Sequence, residues 1–442
     1  MDHVIAARAQ MGTSLAFHIV FAALGVGLPL LVFIADGLHL RTRNEAYGKL
    51  ARSWAKGMAI LFAVGAVSGT ILSFELGLLW PTFMKYAGAI VGLPFSLEGF
   101  AFFIEAIFIG LYLYGRERMS PRAHWLTALP IVISGPVSAG FVTLVNAWMQ
   151  DPTGFRIDHG RVVDVQPLVA MFSKPWATEV VHTTLAAYVF TGFGVAAVCA
   201  YALWRGDRRP QVIAGLRIAM TVALIAIPLQ ILSGDVSARF DAGDEPEKFA
   251  AMESRFVTGD HAPLTIGGIV EPDKRRDIGA IEIPLGLSFL VGGTPTTVVK
   301  GLDDFARSDW PLVAATHYAF DTMVGCGSTL FVIALAWFAF TVRRKPLPKI
   351  AFPILAITGP LALVALEAGW SVTEFGRQPW IARGVLKTSD AATVAPGTDI
   401  AFYGFSLIYI LLGAVCWWLL RRIDRHPGVD NRLPAGISPA AT

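Results

Sequence analysis

The chain has 442 residues, 54% of them hydrophobic and only 16% charged, with a formal net charge of +3. A soluble domain of this size carries about 25% charged residues, so an ordinary globular protein is excluded. The small positive charge sits in short loops rather than in one patch, which gives no nucleic-acid-binding surface.

Taken in chain order, apolar runs near the length needed to cross about 30 Å of hydrocarbon recur at 11–40, 57–80, 95–115, 124–148, 178–204, 212–234, 312–342, 350–373 and 399–420. Isolated strands cannot satisfy their backbone in lipid, and these runs are too long for the alternating strands of a barrel. The expectation is an all-α integral membrane protein of about nine transmembrane helices, a single membrane domain over 1–442. The first run is too long for a signal h-region and lacks a basic n-region. Cys199, Cys326 and Cys416 lie inside apolar runs without metal-site or disulfide spacing. No internal repeat or inverted pair of broken helices is apparent.

Short basic loops alternate with loops poorer in Lys and Arg. The basic set holds Arg41, Arg43, Lys49, Arg52 and Lys56; Arg116, Arg118 and Arg122; Arg205, Arg208, Arg209 and Arg217; Arg343, Arg344, Lys345 and Lys349; and the tail Arg421, Arg422, Arg425 and Arg432. Basic loops face the cytoplasm, so the N-terminus is expected outside and the C-terminus inside. The chain leaves the membrane for long between helices 6 and 7, at 235–310, a polar outer segment. A shorter outer loop spans 149–177. Loops this long are functional or disordered.

Ionisable groups inside apolar spans are functional candidates. His18 lies about two turns into helix 1, and His182 one turn into helix 5. Each is read either as a metal ligand or as a histidine hydrogen-bonded between helices. His317, at the start of helix 7, reads as an interfacial residue, and Met323 further in reads as core filler or as a ligand. Glu98 and Glu105 are seven apart, on one face of helix 3, and Glu367 and Glu374 repeat this in helix 8. Such pairs hand protons along or form interhelical salt bridges. Glu75 is a weaker candidate. Glu179 and Asp36, at helix ends, are expected to be solvated. His18, His182, Glu374 and Met323 all fall in the outer half or near the midplane, where haem iron could take them as axial ligands. A haem-free proton-coupled membrane transporter would present similar residues.

Local sequence goes further. Gly369-Trp370-Ser371-Val372-Thr373-Glu374-Phe375-Gly376-Arg377-Gln378-Pro379-Trp380 resembles the GWxxTExGRQPW signature of subunit I of the cytochrome bd quinol oxidases. The stretch Arg8 to His18 looks like that family's first-helix motif. Leu97-Glu98-Gly99 with Glu105, Asn146-Ala147-Trp148-Met149-Gln150-Asp151-Pro152, and Met323-Val324-Gly325 match in order, as do nine helices with a long outer loop after the sixth. The resemblance implies a terminal oxidase that oxidises membrane quinol on the outer side. It reduces O2 to water with cytoplasmic protons, building a proton gradient without pumping.

By that resemblance, His182 and Met323 match the axial pair of the low-spin haem b558. His18 and Glu374 match the ligands of haem b595 and haem d, with a third haem b in place of haem d in some members. Which ligand serves which haem is left open. Arg8, Asn146, Trp370 and Arg377 match residues near the haems, and Glu98 and Glu105 match the proton route. Lys248 and Glu253 match the loop pair implicated in quinol oxidation, and Asp235 matches the aspartate that opens the loop. The implied partners are a second membrane subunit, with a small accessory subunit as an optional addition, ubiquinol or menaquinol, O2 and the lipid bilayer. The implied location is the bacterial cytoplasmic (inner) membrane.

One copy of the Lys/Glu pattern and Phe74-Glu75-Leu76-Gly77-Leu78-Leu79-Trp80-Pro81 resemble the short-loop, cyanide-insensitive class. Asp321 stands where an arginine is usual, and Asp244-Glu245-Pro246 replaces the usual His-Gln-Pro.

Overall fold

The computed structural model describes residues 2–425. The tail arginine Arg432 lies outside the described residues. Among the described residues, nine helical segments are long and apolar enough to cross a membrane. They are α1 (His3–Thr42), α2 (Glu45–Leu79), α3 (Pro81–Tyr114), α4 (Pro121–Leu126) continuing into α5 (Ala128–Gln150), α7 (Trp176–Trp204), α8 (Pro210–Asp244), α11 (Val313–Val342), α12 (Ala351–Arg377) and α14 (Thr398–Arg425). The short α6 (Pro167–Met171), α9 (Pro246–Met252), α10 (Gly286–Gly292) and α13 (Thr388–Ala391) lie in the connections.

The helices start where sequence chemistry allows. Pro81, Pro121 and Pro210 occupy first-turn positions, where a missing N–H costs nothing. Asn44 caps α2 by accepting from the Ala46 N–H at 2.9 Å.

Helices α7 and α8 form the centre, and their apolar windows are 56% buried against 11% for α14. Small residues let α1 approach α7 and α7 approach α8: a Cβ on Gly27 would meet Thr191 Oγ1 at 2.2 Å, and one on Gly192 would meet the Ala223 backbone at 3.0 Å. At its far end, α14 places Arg421 and Arg422 over Trp417 and Trp418, at 4.3 and 3.8 Å from the ring centroids. Aromatic residues with basic neighbours are typical of a membrane interface.

With nine crossings, one face of the bundle carries the long connections and the other carries the short basic ones. On the basic face, Asp36 departs from the solvated state expected of it. It is 3% exposed, accepts from Tyr112 Oη (3.0 Å) and Arg116 Nη2 (3.3 Å), and faces His124 Nδ1 at 3.4 Å. The helix-end position was read correctly, but α4 folds back over it.

On the other face the expected 235–310 loop begins late, because α8 runs to Asp244 and carries Asp235 inside a helix. The rest is ordered. It contains α9, strand β3 (Leu264–Ile266) paired with β6 (Ile281–Ile283), β4 (Ile269–Glu271) paired with β5 (Arg276–Ile278), and α10. The 149–177 connection holds the hairpin β1 (Arg156–Asp158) and β2 (Arg161–Val163), and β7 (Trp380–Ala382) pairs with β8 (Leu386–Lys387) after α12.

The long loop is tied to α11. Gly267 N–H donates to Asp321 Oδ2 at 2.6 Å, and Val270 N–H to Tyr318 Oη at 3.0 Å. His317 is fully buried, with Nδ1 2.8 Å from the Met252 carbonyl and Nε2 3.2 Å from the Gly267 carbonyl. The residue expected at the interface is thus covered by the loop, which its ring ties to α11.

Candidate functional site

A cavity of about 1210 Å³, counting the space that opens to its surroundings, lies between α7, α8, α11 and α12 under the long loop. His182, Met323, Trp370, Asn146 and Lys248 all line it. Sequence reasoning grouped the first two as candidate ligands, and the fold brings them to one space. His18 and Glu374 are not among its lining residues.

The His182 ring is held at both nitrogens. Its Nδ1 is 3.1 Å from Ser233 Oγ, while Nε2 meets the Gln230 amide at 2.9 Å. A hydroxyl on Nδ1 fixes the ring's orientation, the kind of support that metal-ligating histidines have. Gln230 Oε1 is buried without a hydrogen-bond partner, as expected of a polar group beside a space built for something else. Glycines clear the room. A Cβ on Gly234 would lie 3.4 Å from His182 Cε1, and one on Gly369 3.1 Å from Met323 Sδ. The donor set, one imidazole and one thioether lining a single space, fits a six-coordinate haem.

His18 lies on α1 facing α2. Its Nδ1 is 2.9 Å from Ser68 Oγ, and Gly69 leaves space for the ring, where a Cβ would sit 3.0 Å from Cε1. The arrangement repeats that of His182: a serine fixes Nδ1 and a glycine gives clearance.

A chain of polar contacts links the cavity to Glu374. Asn146 Nδ2 donates to Glu179 Oε2 at 3.0 Å, Arg377 Nη1 donates to Asn146 Oδ1 at 2.7 Å, and Arg377 Nη2 donates to Glu374 Oε2 at 2.6 Å. Arg377 is 3% exposed. Glu179, expected to be solvated, lines the cavity instead.

Lys248 is buried on α9 with its Nζ 3.2 Å from Asp241 Oδ2 and 3.3 Å from Glu245 Oε2. Burial alone would lower the ammonium, but the Asp241, Glu245 and Glu179 carboxylates hold it above its ordinary value. Burial pushes Glu245 up to about 7 against the pull of Lys248. Gly376 lets the lysine pass, since a Cβ there would strike Lys248 Cγ at 2.8 Å.

Glu253, five residues on, points elsewhere. It is 4% exposed, its Oε2 has no hydrogen-bond partner, and it faces Asp321. Burial, with Asp321 adding repulsion, pushes its carboxyl up to about 8. The two loop residues grouped by sequence thus stand on different sides of α9. A carboxyl whose folded value is raised costs stability as pH climbs from the ordinary carboxylate range to about 8. Glu253→Gln is therefore expected to raise thermal stability at pH 8.5, by on the order of a few kcal/mol, and to change little at pH 5. Melting curves at the two pH values check this; an equal shift at both would place the effect in packing instead.

In α3, Glu105 is 5% exposed and faces Gly135, and Ser138 Oγ donates to Glu98 Oε1 at 3.4 Å. Both carboxylates therefore face α5. Arg8 is exposed near the start of α1, away from the cavity.

Sequence reasoning missed Gln230, Ser233, Gly234 and Asp241. The signal was present in outline: Gln230 and Gly234 are one turn apart on the helix next to His182.

The fold and this site define a multi-pass helical membrane protein with a cavity among its helices that a histidine and a methionine line. The description "Cytochrome bd terminal oxidase subunit I" belongs to a family model that matches residues 6–427. A Bacillus subtilis protein provisionally named a cytochrome bd menaquinol oxidase subunit I is 38% identical, with 98% of this chain and 99% of that protein covered. The cytochrome bd ubiquinol oxidase subunit 1 of the same organism is 31% identical, over 99% and 97%. The structure of the bd oxidase from Geobacillus thermodenitrificans superposes with a TM-score of 0.92 at 39% identity, covering 96% of this chain and 99% of that one.

The chain belongs to the cytochrome bd terminal oxidase subunit I family. It is a subunit of a quinol oxidase, an oxidoreductase of the bacterial respiratory chain, and it is embedded in a membrane. The family implies haem cofactors, quinol and O2 as substrates, and a partner subunit II. The haem-free transporter reading has no support.

Proposed function

We propose that His182 and Met323 are the axial ligands of a low-spin haem, of the b558 type, that receives electrons from quinol. The observation that carries this is their position across one cavity from which Gly234 and Gly369 withdraw side-chain bulk. The haem, when bound, supplies a one-electron acceptor between the two-electron donor and the oxygen site. Asn146 and Trp370 line its space, and Lys248 brings the one positive charge among the cavity-lining residues. His18 and Glu374 serve the two high-spin haems, b595 and either d or a third b. Arg377 orients Glu374. Arg8, exposed on α1, is near these haems by family likeness alone.

The loop carried by α9 is the quinol site. Quinol oxidation releases two protons, and a buried carboxyl tuned to near neutrality is suited to accept one. Glu253 and Glu245 both meet that requirement. Glu98 and Glu105 carry protons towards the oxygen site. The positive-inside rule supports an outer quinol site, an N-terminus outside, a cytoplasmic C-terminus and proton uptake from the cytoplasm, in the bacterial inner membrane. Charge separation then needs no pump. The similarity to a menaquinol oxidase favours menaquinol over ubiquinol as the donor. A small accessory subunit is compatible with this reading.

The test is an optical spectrum and pyridine-type haem analysis of the dithionite-reduced two-subunit enzyme, with oxygen uptake measured on menaquinol and ubiquinol analogues. Three haems per complex, one of them low-spin, are expected. A colourless protein, or haem without quinol-driven oxygen uptake, overturns the reading.

A further inference from the structure

Between the long-loop face and His18 lies a polar cluster that the reading above does not use. Gln10 and Ser14 of α1, Glu75 of α2 and Tyr409 of α14 are 2%, 0%, 0% and 3% exposed. Gln10 Nε2 donates to Glu75 Oε1 at 3.0 Å, and Ser14 stands beside both the Glu75 carboxyl and the Tyr409 hydroxyl. Even so, Gln10 Oε1, Ser14 Oγ, Glu75 Oε2 and Tyr409 Oη are all buried without a hydrogen-bond partner. Four orphaned oxygens in one place are costly in an apolar bundle. They match the needs of internal water, which typically makes about three hydrogen bonds to groups left unsatisfied.

The cluster is aligned with His18. Gln10, Ser14 and His18 are spaced by four on one face of α1. Ser68, which holds the His18 ring, is seven residues before Glu75 on one face of α2. The separation is two turns, about 10 Å. We propose that Glu75, Gln10, Ser14 and Tyr409 form an internal water-holding proton site, built on helices other than the Glu98/Glu105 pair. Its ligand is water, and its exchangeable proton resides on the Glu75 carboxyl. When an electron from quinol enters the bundle, the added negative charge is felt strongly in this low-dielectric surrounding. A proton drawn in from outside the bundle and relayed through the lodged water onto the Glu75 carboxylate offsets it; the O–H bond formed at Glu75 is matched by those broken along the water, and no other bond is made or broken. The coupling to His18 rests on the haem reading given above; the water-holding site does not.

Redox-induced infrared difference spectra of the intact two-subunit oxidase, in H2O and D2O, test this. A carboxylic C=O feature that shifts in D2O is expected, lost in Glu75→Gln and displaced in Ser14→Ala and Tyr409→Phe. Should Glu75→Gln fail to assemble, the latter two variants decide alone, since each removes one hydroxyl and little else. A feature identical in every variant that assembles overturns the proposal. His18→Ala, read by haem stoichiometry, tests the haem reading separately, so its failure is told apart from failure of the water site.

Discussion

In His182→Ala enzyme the low-spin haem spectrum disappears, and quinol-driven oxygen uptake falls by more than about 100-fold. Changes to residues that merely orient a ligand cost about 10–100-fold, and this variant removes the ligand itself. Met323→Leu keeps the volume of the side chain but loses the thioether. It also abolishes the low-spin signature, because one axial bond cannot hold iron six-coordinate. Both side chains border a cavity rather than supporting the bundle centre, so helix content and assembly with the partner subunit are expected to survive. Circular dichroism and size-exclusion profiles provide that check. A low-spin spectrum unchanged in both variants would sink the pairing.

Replacing Arg377 should have the second largest effect. Its guanidinium holds Asn146 and Glu374 at once while nearly excluded from solvent. Arg377→Leu strands a carboxylate and an amide oxygen. Breaking a fully buried pair costs about 3–5 kcal/mol, and the 37% exposure of the Glu374 side chain reduces this to about 2 kcal/mol. The expected result is a lower Tm together with loss of a high-spin haem. Arg377→Lys reaches one partner at most, because a lysine lacks the planar fork, so it recovers part of the Tm and less of the haem. Full haem content in Arg377→Leu would show that Glu374 needs no such support.

The membrane architecture was legible because lipid leaves few options. Each crossing needs an uninterrupted apolar run, and all nine appear in the structure, displaced mainly at their ends. The ends were unreadable for a physical reason. Beyond the hydrocarbon a helix can continue on polar residues, as α8 does through Asp241 to Asp244, and hydropathy is silent there. The same silence hid the role of Asp36 and Glu179. A carboxylate near a helix end looks solvated until a tertiary partner such as Arg116 or Asn146 covers it.

Within the site, His182 and Met323 were visible as residue types, but their shared cavity was not, since it depends on glycines from two other helices. Lys248 and Glu253 were grouped by a motif. Only the turn of α9 separates them, sending the lysine to the cavity and the glutamate towards α11. Asp321, where an arginine is usual, found an explanation absent from the sequence: it binds the loop backbone at Gly267.

That attachment bears on how the loop can vary. Asp321, His317 and Tyr318 fasten both flanks of the β3–β4 turn to a membrane helix, whereas the β4–β5 tip, with Asp273 and Lys274, is exposed. Chain length added at that tip lies outside the fastened ring. Its closure entropy grows only by about 0.6 kcal/mol for each doubling. The reach of Lys248 into the cavity is set by the rigid end of α8 and by Pro246, not by how much polypeptide hangs beyond them. The loop is in this sense two devices in series, a bracket fixed to α11 and an exposed tip held from the surface side, by Arg307 on Asp273 and by the Arg275–Asp303 ion pair.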